Sequence, residues 1–454
     1  MERIGVEAER EFLFTEEVDE NCGVFGLWSA RSVAEEIYYG IFKLQHRGQR
    51  YCGISTWNNG LCLVTHPGFV RHAFSPDELR SLKGCLGIGH VSLKERQPMV
   101  FYSHLGPYAL AFSGNIANSE ELRKQLFRDG HAFVTQTDTE ILGRFLSQGK
   151  TILEGLKQIY KVVRGSFSLV VLTREGIYAA RDVHGFKPLV LGRSGKRTAV
   201  ASESRPFDFL GLKIVRDVKP GEIVLLDNGG FKSMLEIKGG QPAFCAFEWG
   251  YIASVDSIID GIPVIRARQN FGMKLAQRDT TEKLKADIVS PVPFSGIGCA
   301  LGYHHYSGIP YQESFLIDRF ASRSYTPLLQ EEREKEAKIK LSVIKDNVRG
   351  KKIVLCDDSI VRGTQIRNKV MELKRAGAKA VHVRIACPPL IAPCRYSIST
   401  RTYDELVALK YSLEGICRLI GADSLKYNTL DDFVDAIGLP ATKLCLSCWT
   451  GKYL

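Results

Sequence analysis

Between Cys22 and about Leu235 the apolar residues fall in short runs: CGVFGLW, CGISTW, LCLVTH, LGIGHV, YALAFSG, FSLVVLT, GIYAARD, LVLGR, TAVASES and EIVLLD. Gly, Asn, Asp and Pro punctuate them, so each run reads as a strand. Helical periodicity interrupts near 33–44, 119–129 and 138–147. Many strands with few helices predict stacked antiparallel sheets with helical layers outside. The stretch EIKGGQPA, 236–243, reads as a turn and linker.

From about Val264 the pattern alternates. A helix over 268–284 leads to a strand in DIVSPVP, and a helix over 296–307 precedes PYQESFL. The charged stretch at 331–341 is followed by a strand in KKIVLCDD, a helix over 365–376 and a strand in AVHVRIA. Strands alternating with helices predict a parallel sheet covered on both faces. The part from about 402 reads as helical and ends in LCLSCWTGKYL. Neither an internal repeat nor a low-complexity tract is present.

At 454 residues, two domains are expected. With 44% hydrophobic and 24% charged residues the composition is that of a soluble globular protein. The longest apolar runs, such as SLVVL at 168–172, are strand-length, so no membrane span is expected. The acidic N-terminus lacks the basic and apolar regions of an export signal, which points to the cytoplasm. The net charge of +11 is spread along the chain without a basic block. It therefore suits an anionic metabolite better than nucleic acid. Twelve cysteines without an export signal argue against a disulfide framework.

The densest chemistry lies in KKIVLCDDSIVRGTQIRNKV. A buried strand runs into Asp357, Asp358, Ser359, Ile360, Val361, Arg362, Gly363 and Thr364, and a helix then opens. Backbone N–H groups and a helix N-terminus make an anion site, and Gly363 lets the ligand approach closely. Paired carboxylates beyond the strand's carboxyl end can accept from sugar hydroxyls or help hold a divalent ion. DDS alone reads most simply as a turn that caps a helix. Strand, loop and helix together ask for a sugar phosphate and resemble the signature loop of type I phosphoribosyltransferases. The substrate implied is phosphoribosyl pyrophosphate (PRPP) with Mg²⁺.

The other chemically loaded stretch is ENCGVFGLWS. Alone, Cys22 reads as a packed thiol. Taken with LQHRGQ, GIGHV, TDTE, KPLVLG, ASES, DSIIDG, RQNFG, SGIPY and GICRLIGAD, the chain from Cys22 onward resembles the glutamine PRPP amidotransferase family in order and spacing. The resemblance implies an N-terminal-nucleophile glutaminase over 22–240 and a phosphoribosyltransferase domain over 241–454, with 1–21 a propeptide. It implies formation of 5-phosphoribosylamine from glutamine and PRPP. Cys22 would be the nucleophile and its α-amino group the base. Gly114 and Asn115 would serve the oxyanion, and Asp138 the substrate amino group.

In the second half, Ser295 with Asp357 and Asp358 would serve Mg²⁺. A flap carrying Arg319, Arg323, Gln330 and Arg333 would close over PRPP. Cys245, Cys394, Cys445 and Cys448 would hold a [4Fe–4S] cluster. The family also implies purine nucleotide inhibitors and a homodimer or homotetramer.

The chain departs from the family pattern in several places. GHV continues as SLKERQP, so Ser92 stands where an arginine clamps the glutamine carboxylate, and the loop is several residues short. Lys94 and Arg96 are the cations left to replace it. Ser113 replaces an asparagine that donates to the oxyanion, a loss that typically costs about 10²–10³ in rate. Phe294, Ser322 and Gln365 are milder changes. These departures leave open a divergent paralogue whose glutaminase half is silent or uses ammonia only, and which binds PRPP as a sensor or partner subunit.

Overall fold

The computed structural model describes residues 22–228, 230–317, 341–397, 400 and 402–454. The first half stacks two antiparallel sheets. One has seven strands in the order Lys213–Asp217, Val190–Ser194, Arg197–Ala201, Gly23–Trp28, Leu86–Ser92, Tyr51–Trp57 and Leu61–Pro67. The other has six: Gly230–Glu236, Glu222–Asp227, Ile177–Arg181, Gly165–Leu172, Gly106–Ile116 and Met99–Ser103.

The period-2 geometry of a strand explains the layering. Val24, Ile88, Ala109, Ala111, Val170 and Leu172 meet between the sheets. Their neighbours turn outward under helices. Phe25 and Leu27 pack with Ile37 and Ile41 of helix Ala34–Lys43. Leu110, Phe112, Leu169 and Val171 pack with Leu122, Ile141, Phe145 and Ile159 of the helices on the opposite side. Burial on both faces is why these strands read as near-continuous apolar runs.

All ten expected strands are present. Three more, Met99–Ser103, Lys213–Asp217 and Gly230–Glu236, lie at sheet edges and are partly exposed, so their residues carry no clean apolar pattern. A fourth substantial helix, Ile152–Val162, joins the three expected. Its signal was a Thr-x-x-Glu start: Thr151 Oγ1 accepts from the Glu154 N–H at 3.2 Å.

The second half holds a parallel sheet ordered Ile288–Pro291, Lys352–Asp357, Ala380–Ile385 and Ser424–Tyr427. Val354 and Cys356 face the core under helices Val264–Thr281, Ile297–Ser307 and Leu430–Ile437. Ile353 and Leu355 face helices Thr364–Arg375 and Leu413–Ile420. The C-terminal part is therefore not purely helical, because Ser424–Tyr427 supplies the fourth strand. None of the helices among the described residues is long and apolar enough to cross a membrane.

Buried charges join the halves. Arg47, fully buried, pairs with Glu203 of the first half and with Glu248 of the second at 2.5 Å. Glu203 also accepts from the Ser254 N–H at 2.8 Å and the Ser257 hydroxyl at 2.6 Å. Burial acts to raise the Glu203 carboxyl, yet the charges of Arg47 and His46 hold it well below the usual carboxylate range. Arg181 adds a bidentate pair to Asp260 at 2.8 and 2.9 Å. Removing one partner of a buried pair strands the other charge. Arg47→Met, which leaves two buried carboxylates, should therefore lose about 3–5 kcal/mol. The urea unfolding midpoint measures this, and a midpoint equal to the parent's contradicts the lock.

Candidate active site

Cys22 precedes strand Gly23–Trp28, whose first residue pairs with Val91. That register sets Ser92 beside Cys22, with Cys22 Sγ 3.3 Å from Ser92 Oγ. The tight loop after Ser92 is pinned at both ends. Ser92 Oγ accepts from the N–H groups of Lys94 and Glu95, each at 3.0 Å. Glu95 then accepts from the N–H of Asp138 at 2.8 Å and the hydroxyl of Thr139 at 2.6 Å. A carboxylate at the N-terminus of helix Asp138–Leu146 satisfies free backbone donors and suits the helix dipole.

This fold of the loop decides which cation reaches the site. Lys94 Nζ lies 3.2 Å from Asp138 Oδ2. Arg96 instead stacks on the ring of Tyr51. Ser92 occupies the arginine's place in the sequence but contacts the thiol. Burial pushes the Cys22 thiol up to about 11, opposed by the Ser92 hydrogen bond; the Glu95 charge adds to the rise, while Lys94 and the Leu93 N–H oppose it.

From the opposite sheet, Ser113 Oγ donates to the Cys22 carbonyl at 2.5 Å. Gly114 has φ +157°, and a Cβ there would lie 2.0 Å from the Ser166 carbonyl oxygen, so only glycine fits. The Asn115 side-chain amide donates to the Arg395 carbonyl at 2.8 Å, which links this pocket to the second half.

The second site lies at the carboxyl end of the parallel sheet. Ser295 Oγ donates to Asp357 Oδ1 at 2.6 Å, so two residues far apart in sequence are brought together. Ser359 Oγ donates to Asp358 Oδ2 at 2.5 Å. Burial, then the neighbouring Asp357 charge, pushes the Asp358 carboxyl well above its usual range. These hard oxygen donors suit Mg²⁺. Ile360 is anchored in the core, and Val361 accepts from the Val407 N–H at 2.8 Å, so the loop is fixed from both sides. Gly363 adopts φ +85° just before helix Thr364–Arg375. Arg362 pairs with Glu405 at 2.8 Å. Phe294 is 72% exposed with φ +68°, an unusual backbone for a bulky residue. Arg319, Arg323, Gln330, Arg333 and the 1–21 segment lie outside the described residues.

Cys245, Cys394, Cys445 and Cys448 line one cavity with Phe186, Phe247 and Trp449. Cys245 and Cys445 are paired in register on neighbouring short strands. A hydrogen bond with Cys448 lowers the Cys394 thiol to about 7. All four are free of disulfides. Among the described residues no group of three or more His, Cys, Asp or Glu is arranged to hold a metal ion. Four thiols around an apolar-walled cavity fit a cluster that spreads its ligands over several irons.

Arg47, Glu203, Glu248 and Asp260, which join the halves, were not singled out from the sequence, although they sit in LQHRGQ, ASES, AFCAFEW and DSIIDG, and neither was Arg181 in GIYAARD. A charged residue ending an otherwise apolar strand was the available signal at Arg181.

Comparison with known proteins agrees with this geometry. A family model described as a glutamine amidotransferase domain matches residues 86–208. An amidophosphoribosyltransferase of Methanothermobacter thermautotrophicus is 41% identical, over 96% of this chain and 95% of its own. That of Bacillus subtilis is 37% identical, over 96% and 94%. The solved glutamine PRPP amidotransferase of B. subtilis, complexed with ADP and GMP, superposes with a TM-score of 0.90 at 37% identity, covering 95% of this chain and 97% of that one. The similarity spans both halves and gives no support to a divergent paralogue. The chain belongs to the amidophosphoribosyltransferase family.

Proposed function

We propose that the chain forms 5-phosphoribosylamine, glutamate and pyrophosphate from glutamine, PRPP and water, the first step of purine biosynthesis, with residues 22–240 as glutaminase and 241–454 as phosphoribosyltransferase. The observation that carries this reading is a single chain, locked by buried ion pairs, that holds both a buried cysteine near Lys94, itself paired with Asp138, and a paired-carboxylate loop at the carboxyl end of a parallel sheet.

In the first half, Asp138 accepts the α-ammonium of glutamine and Lys94 takes its α-carboxylate, so one ion pair divides to hold a zwitterion. The Cys22 sulfur attacks the amide carbon, with Gly114 and Asn115 serving the oxyanion. Ammonia leaves and the resulting thioester is hydrolysed to glutamate. In the second half, the backbone of Ser359, Ile360, Val361, Arg362, Gly363 and Thr364 receives the 5-phosphate at the helix N-terminus. Asp357 and Asp358 orient the ribose hydroxyls. Ammonia adds to the ribose C1 carbon as pyrophosphate departs.

Ser295, Asp357 and Asp358 would hold Mg²⁺, which supplies charge neutralisation for the departing pyrophosphate. The four cavity cysteines would hold a [4Fe–4S] cluster, which ties the linker, the 394 loop and the C-terminus together. Arg319 and Arg323 belong to the segment proposed to cover PRPP. The ADP and GMP of the solved B. subtilis enzyme support purine nucleotides as inhibitors here.

Cys22→Ser should lose glutamine-dependent pyrophosphate release and keep the ammonia-dependent reaction. Loss of both, in protein that still binds PRPP, contradicts the division of labour. Lys94→Gln should raise KM for glutamine about tenfold, as expected for one charged contact, and leave ammonia-dependent turnover unchanged. An unchanged KM removes Lys94 from the carboxylate site.

A further inference from the structure

Ser92 has one hydroxyl proton and two acceptor positions. The N–H groups of Lys94 and Glu95, each 3.0 Å from its oxygen, fill both acceptor positions. The remaining polar contact is the Cys22 sulfur at 3.3 Å. The hydroxyl is therefore left with a donor role, and the sulfur is what it donates to. The Leu93 N–H also favours the anionic form of the same sulfur.

The main chain around Ser92 is held in place. The Arg50 N–H donates to the Ser92 carbonyl at 2.9 Å. A Cβ on Gly48 would lie 2.4 Å from the Ser92 nitrogen, so the LQHRGQ turn abuts the strand end with no room for a side chain. Ser92 itself is fully buried. The hydroxyl is thus oriented before any substrate arrives.

We propose that Ser92, standing where the family pattern has an arginine, directs its hydroxyl hydrogen at the Cys22 sulfur and so eases formation of the anionic nucleophile against the cost of burial. This rests on Cys22 being the glutaminase nucleophile. It separates two duties. The charge for the substrate carboxylate moves along the shortened loop to Lys94, and the vacated position turns to the nucleophile.

Apart from the Cys22 α-amino group, which the resemblance makes the base, the charged groups around the sulfur do not take over this role. Lys94 favours the anion but is paired with Asp138, and Glu95 opposes it. Arg47, on the turn behind Gly23, is committed to Glu203 and Glu248. On the neighbouring strand, burial pushes the His90 imidazole down to about 3, so it is neutral, and its Nε2 lies 3.0 Å from the Phe112 carbonyl. From the opposite sheet, Ser113 addresses the Cys22 carbonyl rather than the sulfur.

The test is the rate of Cys22 alkylation by iodoacetamide from about pH 7 to about pH 12, followed by mass spectrometry of the Cys22 peptide. Neither glutamine nor PRPP is present, so the result stands even if the proposed activity fails. Ser92→Ala should move the pH midpoint upward and slow alkylation at neutral pH about tenfold, as expected for one hydrogen bond to a charged group. Ser92→Thr, which keeps the hydroxyl and the turn, should restore the parent profile. Ser92→Cys, which fills the space with a weaker donor, should fall between them and serves if the alanine variant does not fold. Glutamine turnover should fall in kcat more than in KM. A merely structural Ser92 would lower thermal stability and leave the alkylation midpoint unmoved. That result, or failure of Ser92→Thr to restore the profile, overturns the proposal.

Discussion

A guanidinium with no access to water needs compensating charge, and Arg47 finds it on both sides of the junction between halves. Its two carboxylate partners come from different halves of the chain, so the full network forms only when the halves meet. Glu203 is further held by two donors from the second half, and Lys187 approaches Glu248 at 3.5 Å. The docking places the Asn115 amide on the Arg395 carbonyl and the Ser166 hydroxyl on the Tyr396 carbonyl. The glutaminase pocket and the cysteine cavity are thereby neighbours. An enzyme that passes ammonia between two centres needs a fixed junction of this kind, because a loose one would admit water.

The acidic loop illustrates how burial prepares a site for its ligand. Two adjacent carboxylates at the end of a buried strand repel one another, and the Asp358 carboxyl is raised well above its usual range by burial and by Asp357. The proposed divalent cation would relieve that repulsion. Ser295 already reaches Asp357 from the neighbouring strand end, so the donor set is gathered without large movement.

Legibility in the sequence followed burial. The ten strands read correctly include the interior of both sheets, where both faces are covered and nearly every residue is apolar. Edge strands such as Lys213–Asp217, exposed along most of its length, carry no such pattern. Strand Ser424–Tyr427 was masked by the helices on either side. The acidic loop was legible because strand, Asp pair, glycine and helix are contiguous. The Arg47 network, the pairing of Lys94 with Asp138 and the hydroxyl of Ser92 on Cys22 were not. Each depends on a register between strands or on the path of a loop, which a linear pattern does not encode. The missing arginine was visible as an absence; what replaces it required the fold of the loop.

The most direct measurement is glutamate release from glutamine, with and without PRPP and Mg²⁺, on protein whose intact mass shows that it begins at Cys22. Coupled halves predict release that PRPP stimulates, matched by pyrophosphate. Correctly trimmed protein that binds PRPP yet releases no glutamate would contradict the account and leave the first half without its reaction.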